Sequence, residues 1–427
     1  MNKNDKVYQT CVQVLKEELL PAMGCTEPIA IAYAAAAARR TLGTLPEEVS
    51  ICASGNIIKN VKSVFVPNTG GLRGIPAAAA AGIVAGKDEL MLEVISQATE
   101  EDQKNISAYM EKTPIHVSLS NSQHIFDIDI TVQGGGHSAR VRIVTHHTNI
   151  VRIEKDGEIL LDTPTDADTP ADDGLCDRSI LSVAGILDFV ESVDISDIEE
   201  YINRQIEYNT RIAEEGLSGD WGANIGKVIL AAYGDNVNNR AKAMAAAGSD
   251  ARMNGCSLPV IIVSGSGNQG ITASLPVVEF AKELKVGYEK TIRAVALSDL
   301  ITIHLKSGIG HLSAYCGAVS AGCGSGAGIA YLHGGDLKVI EHTIVNAVAI
   351  NSGIVCDGAK ASCAAKIVSS VDAGILGYHM FRNGQEFRAG DGLVTKGVEA
   401  TIRNIGTLAR EGMRETDREI LNIMVGC

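Results

Sequence analysis

IHVSLS (115–120), FDIDITV (126–132), SARVRIVT (138–145) and NIVRIEK (149–155) are the segments whose reading decides the fold. In each, β-branched residues alternate with polar ones or run together, the pattern of half-buried strands. VSICAS (49–54) and SVFVP (63–67) have the same texture. An alanine-rich stretch (75–86) and an acidic one (88–113) interrupt the run and read as helices. On either side the texture is helical: 6–20, then 28–41 opening at Pro28, then nearly everything beyond 178. The expected fold is therefore α+β. A largely helical domain (1–46 with 170–427) carries an inserted sheet-containing domain (47–169). The acidic segment DTPTDADTPADDG (162–174) serves as a surface linker.

The 427 residues suffice for two or three domains with a sizeable core. A formal net charge of −14 without a basic run argues against nucleic acid as a partner. No apolar run reaches membrane-spanning length, and the polar N-terminus lacks a signal-peptide core, so a cytoplasmic location without membrane association is expected.

Chemistry is suggested first by the ten cysteines. Four of them, Cys316, Cys323, Cys356 and Cys363, occupy glycine- and alanine-rich surroundings, AYCGAVSAGCGSGAG and NSGIVCDGAKASCAAK. In a reducing compartment such clustering points to metal or catalysis rather than disulfides. Zinc spacings are absent, whereas an iron–sulfur cluster tolerates looser ones; buried small residues are the plain alternative. Cys25, just ahead of a helix start, is placed where the helix dipole lowers a thiol pKa. PNTGGLRG (67–74) puts Asn68, Thr69 and Arg73 around paired glycines, a setting in which an arginine suits a carboxylate. GSGNQG (265–270) matches a dinucleotide fingerprint literally, but Pro276 falls in the helix that should follow. It reads instead as a nest of N–H groups from Gly267, Asn268 and Gln269, or as a plain turn.

Taken together, GCTEP (24–28), NTGGLRG, SGSGNQG, YCGAVSAGCGSGAG and GIVCDGAKASC resemble the L-cysteine desulfidase family, itself similar to the iron–sulfur L-serine dehydratases. The resemblance implies an oxygen-labile 4Fe–4S cluster on Cys316, Cys356 and Cys363, with Cys25 taking part in catalysis and Cys323 structural. It implies an elimination that turns L-cysteine into pyruvate, ammonia and sulfide. One iron, free of cysteine, would act as Lewis acid on the substrate thiolate while Cys25 removes the Cα proton. Arg73 or the 265–270 nest is expected to hold the carboxylate, with Asn68 and Thr69 beside it, and Glu27 to meet the ammonium. A small amino acid is the expected partner, and a homodimer the expected assembly. L-Serine dehydration by the same machinery is one alternative, and a pyridoxal-phosphate lyase using Lys360 or Lys366 is another. The chain ends in Cys427, whose thiol would be able to cap the open iron.

Overall fold

The computed structural model describes residues 1–165, 175–310 and 312–425. Most of the acidic segment at 162–174, together with Cys427 and its proposed capping role, lies outside them. The architecture is α+β: a six-stranded mixed sheet, a two-stranded one and a large helical assembly.

The strands are β1 (Pro21–Met23), β2 (Glu48–Ala53), β3 (Ile115–Leu119), β4 (Asp127–Gly134), β5 (His137–Val144), β6 (Ile150–Lys155), β7 (Glu158–Asp162) and β8 (Pro259–Ile261). The large sheet runs β3-β2-β4-β5-β6-β7, antiparallel except for the β2–β3 pair. Period-two alternation gives it two unlike faces. Ile128, Ile130, Val132, Val141 and Ile143 are buried on one. On the other, Arg140 pairs with Asp129 at 2.6 Å and Arg142 with Asp127 at 2.9 Å, a cross-strand charge ladder.

Sixteen helices are present among the described residues. The first five are α1 (Lys6–Glu18), α2 (Thr26–Leu42), α3 (Gly55–Val61), α4 (Gly74–Ala85) and α5 (Glu100–Lys112). Next come α6 (Val183–Ser192), α7 (Glu199–Ser218), α8 (Ile225–Tyr233), α9 (Val237–Met253), α10 (Gly267–Leu284) and α11 (Tyr288–Ile309). The last are α12 (Gly317–Leu332), α13 (Leu337–Ile350), α14 (Cys363–Arg382), α15 (Val398–Thr407) and α16 (Arg414–Val425). The alanine-rich α2 packs against α4, β4 and β5, so it covers the sheet's apolar face. The glycine-rich α12 packs against α10, α11, α13 and α14. A side chain at Gly322 would meet the Ser370 carbonyl, and one at Gly328 would come within 2.9 Å of the Ala294 carbonyl. The sequence thus lets α12 touch neighbouring backbones that any larger residue would push away.

Three expectations fail locally. SVFVP is no strand: the chain turns back at once, with Val66 N–H bonding Leu72 O at 3.0 Å and only a Phe65–Arg73 bridge formed. The acidic segment breaks into a short 3-10 turn (Asp88–Glu93), itself kinked at Met91, and α5, which starts afresh at a capping box between Thr99 and Asp102. α10, by contrast, runs straight through Pro276. The lost N–H is tolerated in this helix, buried from Gln269 to Ala281, where Ser298 of α11 donates to the nearby Ala273 carbonyl at 2.7 Å.

Candidate functional site

Two short pairings assemble the site from distant sequence. β1 pairs with β8, which sets Cys25 at the end of β1 beside the 265–270 loop; Thr26 Oγ1 donates to Gly265 O at 3.0 Å. A Tyr315–Val355 bridge does the same for the C-terminal cysteines. Cys356 N–H bonds Ala314 O at 2.6 Å, and Cys316 N–H bonds Ile354 O at 3.0 Å.

The result is one cavity of about 120 Å³ that includes Cys25, Glu27, Cys316, Cys356 and Cys363 in its lining. Four helix starts converge there. Cys25, Ser266, Cys316 and Ser362 are the N-caps of α2, α10, α12 and α14, and none makes a side-chain capping bond. Their first-turn N–H groups and positive dipole ends favour anions at this spot. Gln269 also lines the cavity, its amide pressed against Gly317, where a Cβ would come within 2.7 Å of its Cδ.

The cysteines differ in state. The Cys316 thiol is pushed well up, first by its bond to Cys356 and then by burial, while the same bond holds Cys356 below its usual range against burial. The two thiols titrate as a pair, with Cys356 the more readily ionised of them. Lys59, the Gly358 backbone and Lys366 further favour that thiolate. Burial pushes Cys363 up, opposed by a backbone bond at Lys360. Cys323 lies buried inside α12, where burial pushes it up to about 12, away from this chemistry.

Cys25 departs from the expectation of a low-pKa thiol. Burial, then the charge of Glu27, push it well above the usual range, and the Sγ–H donates to Glu27 Oε2 at 3.0 Å. Burial works against the Glu27 carboxylate, but the charge of His147 when it is protonated, the Cys25 thiol and Arg252 outweigh it and hold its pKa down. Glu27 Oε1 accepts from Asn60 Nδ2 at 2.9 Å, and Thr26 Oγ1, 3.1 Å from Oε2, shares its one proton between that oxygen and Gly265 O. Burial keeps His147 below the ordinary histidine range in spite of Glu27.

Among the expected binding residues, Gly267, Asn268 and Gln269 reach this region, as the first turn of α10 rather than as a separate nest. Asn68, Thr69 and Arg73 are not in the cavity lining. Asn68 Nδ2 donates to Ile95 O at 3.1 Å and the residue borders a separate cavity with Trp221 and Asn254. Thr69 Oγ1 closes its own turn on Val66 O at 2.7 Å. Arg73 is exposed, its guanidinium 3.7 Å above the Phe65 ring. Lys360 pairs with Asp357 at 2.5 Å, and Lys366 pairs with the same carboxylate. Sequence reasoning missed Asn60, Lys306 and Arg252, all in the cavity lining. Arg252 sits near the end of α9, and only long-range packing brings it here.

Among the described residues no three His, Cys, Asp or Glu side chains close on a point that would suit a single metal ion. The three cysteines instead face a shared cavity. Soft thiolates, N–H groups at the sulfurs and buried cations (Lys306 and Arg252) are the donor set and counter-charge that a polynuclear iron–sulfur group needs. The residues fit such a cluster.

A family model of the serine dehydratase alpha chain matches residues 89–422. The chain belongs to the serine dehydratase alpha-chain family. That match takes in α9, α10 and the three cysteines of this serine dehydratase-like chain, but not Cys25 or Glu27. A UPF0597 protein of Desulfitobacterium hafniense is 59% identical over 425 residues, covering 100% of this chain and 98% of the relative. UPF0597 proteins of Lachnoclostridium phytofermentans and Treponema denticola are 51% and 45% identical, covering 98% and 100% of this chain and 100% of each relative. No helix among the described residues is long and apolar enough to cross a membrane.

Proposed function

We propose that this member of the serine dehydratase alpha-chain family is an iron–sulfur lyase that eliminates sulfide from L-cysteine, giving pyruvate, ammonium and sulfide. The observation that carries the reading is that Cys316, Cys356 and Cys363 share one cavity with the hydrogen-bonded Cys25–Glu27 pair. Cys316, Cys356 and Cys363 would hold a 4Fe–4S cluster, which when bound would supply a Lewis-acidic iron.

The chain's own part is proton handling and binding. Glu27 accepts the Cys25 Sγ–H at 3.0 Å and is placed to take that proton, a transfer that is uphill in the resting site because burial and the Glu27 charge raise the thiol pKa. The thiolate so formed removes the Cα proton of the substrate, and sulfide departs as the Cα–Cβ double bond forms. The proton held by Glu27 is released with the sulfide, and the aminoacrylate product hydrolyses to pyruvate and ammonium. Because Asn60, Thr26 and Cys25 already bond both oxygens of Glu27, that carboxylate serves Cys25 rather than the substrate ammonium.

Of the two leaving groups sulfide needs the less help, because a thiol is a far stronger acid than water. The family's description favours the second reading, dehydration of L-serine. The deciding experiment is anaerobic reconstitution with iron and sulfide, then assay of L-cysteine beside L-serine. Sulfide and pyruvate in equal amounts, lost on exposure to air, support the desulfidase; pyruvate from serine alone supports the dehydratase; no turnover of either removes both.

A further inference from the structure

We propose that Arg252, together with Asn268 and the first turn of α10, is the anchor for the α-carboxylate of the amino-acid substrate. The proposal rests on the reading of the chain as an amino-acid lyase, and holds whichever group leaves.

Arg252 is 2% exposed, one of the largest fully buried side chains in the protein. A buried guanidinium needs a counter-charge and partners for its N–H groups. Arg252 forms no ion pair among the described residues, although Cys25, Glu27 and Cys363 attract it from nearby. Its Nη1 donates to Asn268 Oδ1 at 3.1 Å, and its Nε has no partner. Arg252 and Asn268 line the cavity of the cysteines. The structure therefore places a positive fork beside the reacting groups, with its Nε unpartnered and no carboxylate among the described residues paired to it directly.

A second observation points to the same spot. Ser266 at the N-cap of α10 makes no side-chain bond to the turn it starts, so the first-turn N–H groups have no capping acceptor. Gly267 is what joins arginine to helix: a Cβ there would run into Arg252 Nε, so the guanidinium lies against the first turn of α10 only because residue 267 has no side chain. A planar fork beside free N–H groups at a helix start is the recognition chemistry of a carboxylate. Arg73, exposed over Phe65, has neither the burial nor the position.

The test compares two thiols on anaerobically reconstituted protein by calorimetry. 3-Mercaptopropionate carries the carboxylate and no amine; cysteamine carries the amine and no carboxylate. Arg252→Gln is expected to weaken 3-mercaptopropionate by about 10- to 100-fold, the effect of losing a charge-assisted pair, and to leave cysteamine unchanged. Gly267→Ala keeps the charge but displaces the guanidinium, and is expected to act in the same direction should Arg252→Gln not fold. Equal weakening of both ligands, unchanged 3-mercaptopropionate binding in the variants, or none in the parent protein would overturn the anchor. Turnover of L-cysteine with an unchanged KM in both variants would remove the anchor and leave the elimination standing. A parent protein that binds 3-mercaptopropionate through Arg252 yet eliminates nothing would remove the reaction and keep the anchor.

Discussion

Raising the pH is expected to destabilise this protein through one buried acid, Asp299 of α11, and Asp299→Asn is expected to remove the effect. Asp299 is fully buried; Gln205 Nε2 donates to its Oδ1 at 2.9 Å, and its Oδ2 has no partner. Burial, only partly offset by Gln205, pushes its pKa up from 3.8 to about 8. The sign follows from the protons bound. Below the unfolded value both states hold the proton and nothing changes. Between the two values the unfolded chain has released it and the folded chain has not, so each pH unit costs the fold about 1.4 kcal/mol. Above the folded value the loss is complete. From about pH 5 to about pH 8 the cost approaches 4 kcal/mol, an upper figure because the folded group is half-ionised at the end. Asparagine keeps the shape and the acceptor for Gln205 and has no proton to lose. Urea unfolding of parent and variant across that range is the assay. The stability difference is expected to move in favour of Asp299→Asn as the pH rises; curves that stay parallel would refute a buried, neutral Asp299.

Three further outcomes follow from the site. Cys316→Ala, Cys356→Ala and Cys363→Ala are each expected to lose most bound iron and labile sulfide on anaerobic reconstitution, while Cys323→Ala keeps them; chemical analysis of both elements reads this. Glu27→Gln removes the acceptor of the Cys25 proton, and kcat is expected to fall by about 10²- to 10⁴-fold with little change in KM. Arg73→Ala is expected to leave KM for L-cysteine unchanged and to cost no more than about 1 kcal/mol in a denaturation curve, the range of an exposed cation–π contact.

The sheet was legible because its strands alternate. β4 and β5 bury Ile128, Ile130, Val141 and Ile143 on one face and pair Asp127 and Asp129 with arginines on the other. Where alternation carries less information the reading fails. β7 is exposed throughout, and β1 and β8 are three-residue strands that pair with each other across more than 230 residues of sequence. SVFVP has a strand's composition, but the turn at 67–71 folds it back before a partner is reached. At the site, the cysteines and the 265–270 loop were visible as motifs. Their convergence depends on the β1–β8 pairing and the Tyr315–Val355 bridge, which no local pattern records. Arg73 drew attention because its glycines mark a turn, yet that turn closes on itself through Thr69. Arg252 carried no signal, since its importance lies in burial beside Gly267, 15 positions away in sequence and on another helix. The Cys25 thiol is not the low-pKa group that its helix start suggests, because burial and Glu27 push its pKa up.

Mössbauer spectroscopy of the anaerobically reconstituted protein, before and after L-cysteine, addresses most directly whether three cysteines here hold a cluster that meets its substrate. One iron of four should change its signature on addition of L-cysteine while the other three do not. Four irons indifferent to the amino acid, or no cluster despite intact Cys316, Cys356 and Cys363, would contradict it.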